Sequence, residues 1–107
     1  GYQSVQVHRL DAYTLTLEPE QGFYATEGEQ MTRSPSVPFH VGEQVELEDM
    51  RVTVTKVNDR GRAMSAEFRF ASPLEDPQWL WMAFNRSVLE RWSPPAIGER
   101  TTLPPLL

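Results

Sequence analysis

The residues that could do chemistry in this chain are two histidines and fifteen acidic side chains, and the sequence contains no cysteine. The lack of cysteine excludes disulfides, thiolate zinc sites, iron–sulfur clusters and cysteine nucleophiles. His8 and His40 are far apart in the sequence, and neither belongs to an HxH, HxxxH or HExxH pattern. A metal centre would need both to meet carboxylates in space. We therefore predict no metal site and no cofactor.

Four of the acids cluster in "GEQVELED", where Glu46 and Glu48 alternate with apolar residues and Glu43 and Asp49 flank them. The calcium-loop spacing D-x-D-x-D-G is absent, so the cluster is typical of a charged sheet edge that discourages pairing with other chains. One hypothesis for the function is an enzyme that uses an acid pair in this cluster together with His40, which requires a concave pocket. Because G-x-S-x-G is absent and glycines occur singly, we predict no catalytic residues and a protein that is not an enzyme.

All three tryptophans lie in "WLWMAFNRSVLERW", residues 79–92. In a strand, Trp79 and Trp81 would share one face and Leu80 would lie on the other, so both faces would be apolar. Such a strand is normally covered on both sides, by core on one side and by a loop, the tail or a partner on the other. The two indoles could also stack on a sugar. The sequence therefore gives Trp79, Trp81, Trp92 and Tyr24 as a candidate interaction surface.

The elements that must position these residues have a hydrophobic period of two, which is typical of half-buried strands. The alternating runs are "SVQVHRL", "AYTLTLE", "EQVELE", "RVTVTKV" and "AMSAEFRF". Turns are predicted at 10–12, 47–50, 57–62 and 84–87, and a last edge strand near 99–103. This pattern predicts an all-β fold, an antiparallel β-sandwich of about 6–8 short strands with immunoglobulin-like architecture. A small β-barrel is the alternative.

The length fits a single β domain over residues 1–107, with a long polar loop at 26–38 and a proline-rich tail at 93–107. Because the chain begins with Gly1 directly before a strand-like run, we expect it to be excised from a longer protein. The sequence contains no apolar run of about 18 residues, the length that would be needed to span a membrane. A net charge of −5 argues against nucleic-acid binding, since Arg60, Arg62 and Arg69 are the nearest approach to a basic cluster.

Three stretches carry a family resemblance: "VGEQVELEDMRVTVTKVNDRGR", "FRFASPLEDPQWLW" and "PPAIGERTTLP". Together they resemble a soluble β-rich domain of uncharacterised bacterial membrane-associated proteins, in which the domain follows several transmembrane helices. The resemblance implies an extracytoplasmic location, periplasmic or at the cell surface, with tethering by membrane segments outside this chain. It carries over no catalytic residue.

The function that these patterns favour is a non-catalytic interaction or accessory domain of a larger, membrane-associated bacterial protein. Its partner would be another protein or the rest of the parent chain. The alternative is a carbohydrate- or small-ligand-binding module that uses the hairpin with Trp79, Trp81 and Trp92. The alternative requires two of these rings to lie exposed and side by side.

Overall fold

The computed structural model describes residues 4–23, 39–85 and 88–103, and these residues contain eight strands and no helix. The strands are β1 (Val5–Asp11), β2 (Thr14–Pro19), β3 (Gln44–Leu47), β4 (Met50–Val57), β5 (Ala63–Phe70), β6 (Met82–Asn85), β7 (Val88–Arg91) and β8 (Arg100–Leu103). The prediction of an all-β, antiparallel fold is confirmed. Tyr24 and the 26–38 loop, two features singled out in the sequence, lie outside the described residues.

Six of the strands form one open antiparallel sheet in the order β3-β4-β5-β2-β1-β8. The other two, β6 and β7, pair only with each other as a hairpin. Since β3 and β8 are the two edges of the sheet, the described strands do not close into the barrel that was the alternative prediction. The described strands thus form one six-stranded sheet and a separate two-stranded hairpin. The sandwich of two packed sheets stays a prediction.

The period of two in the sequence becomes one apolar and one polar face of this sheet. Residues directly opposite each other on neighbouring strands share a face. One row of the apolar face consists of Arg9, Leu15, Phe68, Val52 and Val45. The next row, on the polar face, consists of Arg100, His8, Thr16, Glu67, Thr53 and Gln44. The sheet is therefore amphipathic across its whole width, with Arg9 as a charged residue on the apolar side.

The apolar face carries two core clusters. The first is built on Val52, Val54, Ala63 and Ala66, and Phe23 and Phe39 are among the residues that pack against it. The second is built on Val7, Leu15 and Leu74, and half-buried Trp81 and Trp92 pack against it. Leu74 is only 1% exposed although it lies in the irregular segment between β5 and β6. Part of that segment therefore covers the apolar face of the sheet.

The turn between β4 and β5 forms as its residues predict. The side-chain oxygen of Asn58 accepts hydrogen bonds from the backbone N–H groups of Arg60 (3.0 Å) and Arg62 (2.9 Å). Gly61 has a φ of 77°, a left-handed conformation that glycine adopts without a steric penalty. The turn sets the register that places Val52 and Val54 on the apolar face.

Candidate functional site

Two tryptophans of the segment between β5 and β6 pack on the same ring. Phe70, at the end of β5, has its ring centroid 5.4 Å from that of Trp79 and 5.3 Å from that of Trp81, and both contacts are edge-to-face. Trp92, just after β7, packs edge-on against Trp81 at 6.0 Å. We call these four residues the aromatic cluster. Edge-to-face packing is favourable because the positive edge of one ring meets the negative face of another.

Hydrogen bonds hold the aromatic cluster to the backbone around it. The indole N–H of Trp81 donates to the carbonyl of Leu74 at 2.9 Å, and that of Trp79 donates to the carbonyl of Ser72 at 3.4 Å. The backbone N–H of Trp92 donates to the carbonyl of Trp81 at 2.9 Å. All three rings are half-buried. The structure thus brings the three predicted tryptophans together, two on Phe70 and Trp92 on Trp81, and their own N–H groups hold them in position.

The prediction that Trp79 and Trp81 lie in a strand is wrong, because β6 begins only at Met82. A turn precedes them, closed by a hydrogen bond from the backbone N–H of Trp79 to the carbonyl of Asp76 at 3.0 Å. The side chains nevertheless alternate in burial. Leu80 is 65% exposed and Met82 is 37% exposed, whereas the indoles between them and before them turn inward. We call Leu80 and Met82 the outer strip.

A buried arginine anchors the segment that carries the aromatic cluster. Arg9 reaches from β1 to the carboxylate of Glu75 and donates to both of its oxygens, with 2.8 Å from Nη2 to Oε1. The same guanidinium donates to the carbonyls of Asp11 (3.0 Å), Ala12 (3.2 Å) and Pro95 (3.3 Å). A guanidinium has five N–H donors in a fixed plane, so it can donate to several acceptors around it at once. We call Arg9 and its acceptors the Arg9 clamp. The clamp joins the β1–β2 turn to the segments around 75 and 95.

The electrostatics of the clamp follow from this geometry. The hydrogen bond from Arg9 is the largest cause that lowers the pKa of Glu75 below its ordinary value, and it also raises the pKa of Arg9. The pKa of Asp11 is lowered too, chiefly because its carboxylate accepts a hydrogen bond from the backbone N–H of Tyr13 at 2.8 Å. Sequence reasoning missed both Arg9 and Glu75. The sequence did contain a signal that Arg9 is buried, because alternation places it on the same face of β1 as Val5 and Val7.

A cleft of about 380 Å³ opens on the polar face of the sheet. We call it the polar cleft and define it by six of the side chains that line it: His8, Glu18, Thr55, Lys56, Ser65 and Arg100. A β-bulge shapes one wall. Val54 pairs with Ala66 and Lys56 pairs with Ser65, so Thr55 is the extra residue of β4. Bulges re-aim side chains, and here the side chains of Thr55 and Lys56 both enter the cleft.

The histidines and acids singled out in the sequence do not line one common pocket, although the backbone N–H of His40 donates to the carboxylate of Glu43 at 3.3 Å. A second, shallower hollow of about 240 Å³ is lined by Glu46, Glu48 and Asp49 together with Arg51, and His40 does not line it. Glu46 pairs with Arg51 across the β3–β4 edge. Within residues 4–23, 39–85 and 88–103, no three histidine or acidic side chains converge as metal ligands. The acid cluster therefore forms the charged edge that its sequence predicted.

The basic residues are dispersed in the same way. Arg62 donates to the carbonyl of Gln21 at 3.3 Å, whereas Arg69 lies 3.8 Å from Asp11 and 5.4 Å from the ring centroid of Tyr13. Arg60 is exposed in the β4–β5 turn. These arginines do not form one basic patch in the part of the chain that the structure describes.

Comparison of the chain with protein-family models, with curated proteins and with solved structures found no match. The described residues also contain no helix that is long and apolar enough to cross a lipid bilayer.

Proposed function

We propose that this chain is a non-catalytic interaction domain of a larger, membrane-associated bacterial protein, and that the outer strip is its contact surface. The observation that carries the proposal is the exposure of Leu80, at 65%, directly between two half-buried tryptophans whose rings pack on Phe70. Contact with a partner would remove this apolar side chain from water, and burial of apolar surface is the main favourable term in protein association.

The support beneath the outer strip suits a binding surface. Trp79 and Trp81 are fixed by ring packing on Phe70 and by their indole hydrogen bonds, so the backbone that carries Leu80 and Met82 is ordered before any partner arrives. Preorganisation lowers the entropy cost of binding. Interfaces also concentrate their binding energy in a few apolar and aromatic side chains. We infer that Leu80 inserts into a pocket of the partner, which is another protein or the rest of the parent chain.

That the domain is not an enzyme is part of the same proposal. The shifted pKa values of Glu75 and Asp11 arise from hydrogen bonds that hold turns and loops in place. Such shifts serve stability as readily as catalysis. In this proposal the finer architecture is a reduced sandwich, in which the β6–β7 hairpin takes the place of a second sheet. The sugar-binding alternative gains no support from the rings, which meet one another edge-on.

Site-specific photo-crosslinking in the parent protein tests the contact surface. A photoreactive residue at position 80 is compared with one at position 59, since Asp59 is exposed in the β4–β5 turn away from the outer strip in sequence and sheet position. We expect a discrete crosslink from position 80 to one partner protein or to another part of the parent chain, and none from position 59. Equal crosslinking from both positions, or none from position 80, would contradict the proposal.

The extracytoplasmic location is tested separately. Because the chain has no cysteine, Asp59→Cys introduces a single thiol into it. In cells with a permeabilised outer envelope and an intact inner membrane, a membrane-impermeant maleimide should label this thiol before lysis. A cytoplasmic protein with one exposed cysteine provides the control. Labelling only after lysis would place the domain on the other side of the membrane.

A further inference from the structure

The polar cleft has an unused pair of cationic and hydrogen-bonding groups on one wall. Arg100 on β8 lies directly opposite His8 on β1, and the two side chains of such a cross-strand pair lie about 5 Å apart at Cβ. Within the described residues, neither side chain makes a hydrogen bond or an ion pair. A guanidinium with five donors and an imidazole therefore line this wall without a protein partner among the described residues.

The part of the cleft on β4 and β5 adds a second cation and two hydroxyl groups. The β-bulge directs Lys56 and Thr55 into the cleft together, and Thr55 donates to the hydroxyl of buried Ser65 at 2.9 Å. The ammonium of Lys56 is 3.1 Å from the carboxylate of Glu18 in an exposed pair. Exposed pairs of this kind are weak, so a more highly charged anion can compete with Glu18 for Lys56.

We propose that the polar cleft binds a phosphate compound, with Arg100, His8 and Lys56 as the cationic and hydrogen-bonding groups of its lining. The cleft holds two permanent positive charges and one negative charge in a chain whose net charge is −5. A phosphomonoester carries about −1.5 to −2 charges and three terminal acceptor oxygens, so it can use several donors of the cleft. A carboxylate carries a single negative charge and two oxygens, so we expect it to bind more weakly.

The size and position of the cleft agree with this ligand class. A volume of about 380 Å³ holds a phosphate together with part of the group that it esterifies. Glu67 is the acid in the row of the polar face that contains Arg100 and His8. It lies beyond Thr16 and does not line the cleft. The site is on the opposite face of the sheet from the core clusters, so it is independent of the contact surface proposed above.

Nuclear magnetic resonance titration of the chain tests the site, with inorganic phosphate and phosphoserine as probes and acetate at matched ionic strength as the comparison. We expect saturable shifts of the amides of His8, Lys56 and Arg100 with the phosphates and much weaker effects with acetate. Arg100→Gln should weaken phosphate binding by about tenfold or more, since a lost charged hydrogen bond has this effect. The matched control is Arg60→Gln, which removes the same charge outside the cleft and should change affinity little.

Glu18→Gln provides a test of opposite sign. It frees Lys56 and removes the negative charge of the cleft, so phosphate should bind more tightly than to the unmodified chain. A residue that only supported the fold would not strengthen binding when it was replaced. The proposal is overturned if no saturable shift appears with either phosphate, if acetate binds as tightly, if Arg60→Gln and Arg100→Gln weaken binding equally, or if Glu18→Gln weakens it.

Vesicles distinguish the two sources of such a phosphate. Sedimentation with phosphatidylcholine vesicles that contain phosphatidic acid, and with phosphatidylcholine alone, measures binding to a lipid phosphomonoester. Binding that requires phosphatidic acid, is lost in Arg100→Gln and is kept in Arg60→Gln would support the proposal and assign the ligand to a lipid headgroup. Binding of soluble phosphates without vesicle binding would equally support it and assign a free phosphate compound.

Discussion

Arg9 and Glu75 are 66 residues apart in the sequence, yet the guanidinium of one holds both carboxylate oxygens of the other. The pair is unequal in exposure, because the side chain of Arg9 is 4% exposed and that of Glu75 is 66% exposed. A charge on the apolar face of a sheet is costly unless it is paired and hydrogen-bonded. The clamp meets that requirement and in doing so fixes where the segment with the aromatic cluster can lie.

Loss of the clamp arginine should destabilise the fold strongly. Arg9→Ala removes the donors to three backbone carbonyls and to Glu75, so we expect the free energy of unfolding to fall by about 2–4 kcal/mol. Arg9→Lys keeps the charge but cannot reach this fork of acceptors, and it should lose most of the same amount. Urea denaturation followed by circular dichroism measures both. Arg60→Ala is the control, and a change of similar size there, or none in Arg9→Ala, would contradict the role of the clamp.

The clamp also predicts how stability depends on pH. The pKa of Glu75 in the folded state lies below its ordinary value of 4.5 because Arg9 donates to the ionised carboxylate. Its contribution is therefore complete above about pH 4.5 and is lost as the pH falls through the folded-state pKa. Asp11, whose pKa is lowered from 3.8, acts in the same direction.

Glu75→Gln isolates this contribution, because a neutral amide resembles the protonated acid. We expect the variant to be less stable than the unmodified chain at neutral pH and to converge with it in acid, as urea titrations between about pH 7 and about pH 3 would show. Glu48→Gln, an exposed acid of the β3–β4 turn, should give a curve parallel to that of the unmodified chain. Curves of Glu75→Gln and the unmodified chain that stay parallel would be inconsistent with the pair.

The two indole hydrogen bonds predict different costs for the same substitution. Trp81→Phe removes a well-formed bond to Leu74 and contacts with Trp92, so about 1–3 kcal/mol of stability should be lost. Trp79→Phe removes a bond of 3.4 Å, near the limit of a hydrogen bond, and should cost less than about 1 kcal/mol. Denaturation followed by far-ultraviolet circular dichroism compares them. Equal costs, or the reverse order, would mean that the rings are held in another way.

Two glycines with left-handed backbone provide a matched test of packing at the end of β2. Gly22 and Gly42 have φ values of 80° and 89°. A Cβ at Gly22 would approach the sulfur of Met64 to 2.6 Å, whereas nothing lies within 4 Å of one at Gly42. Gly42→Ala should therefore cost only the backbone strain, about 1–2 kcal/mol, and Gly22→Ala an additional ~1–3 kcal/mol. Thermal denaturation would measure the difference, and equal costs would show that the contact relaxes freely.

The sequence was sufficient to predict what short-range patterns control. Alternation in "RVTVTKV" placed Val52 and Val54 on the buried face, and both are 1% exposed. Asn58 and Gly61 identified the turn that sets the register of β4 against β5. The edge strand predicted near 99–103 is β8. These features depend on residues that are neighbours in the chain or directly across a hairpin.

The position of the aromatic cluster could not be predicted in this way. It depends on Arg9 and Glu75, and no periodicity selects one partner among fifteen acids. Arg9 shares the parity of Val7, which indicates a buried charge but not its partner. The polar cleft depends on a bulge at Thr55 and on a pairing between β1 and β8, and neither leaves a local pattern. Long-range pairings of this kind require the three-dimensional structure.

The pairing of β8 with β1 has a consequence for how the chain folds as it is synthesised. Thr102 donates a side-chain hydrogen bond to Gln6, 96 residues earlier, so the sheet is completed only after almost all of the described chain has left the ribosome. Until then the outer edge of β1 has unpaired N–H and C=O groups, which can pair with another nascent chain. We expect β4 and β5 to gain amide protection first and β1 last, as pulsed hydrogen exchange would show. Among the described strands, the one that is made last thus shields the one that is made first from aggregation.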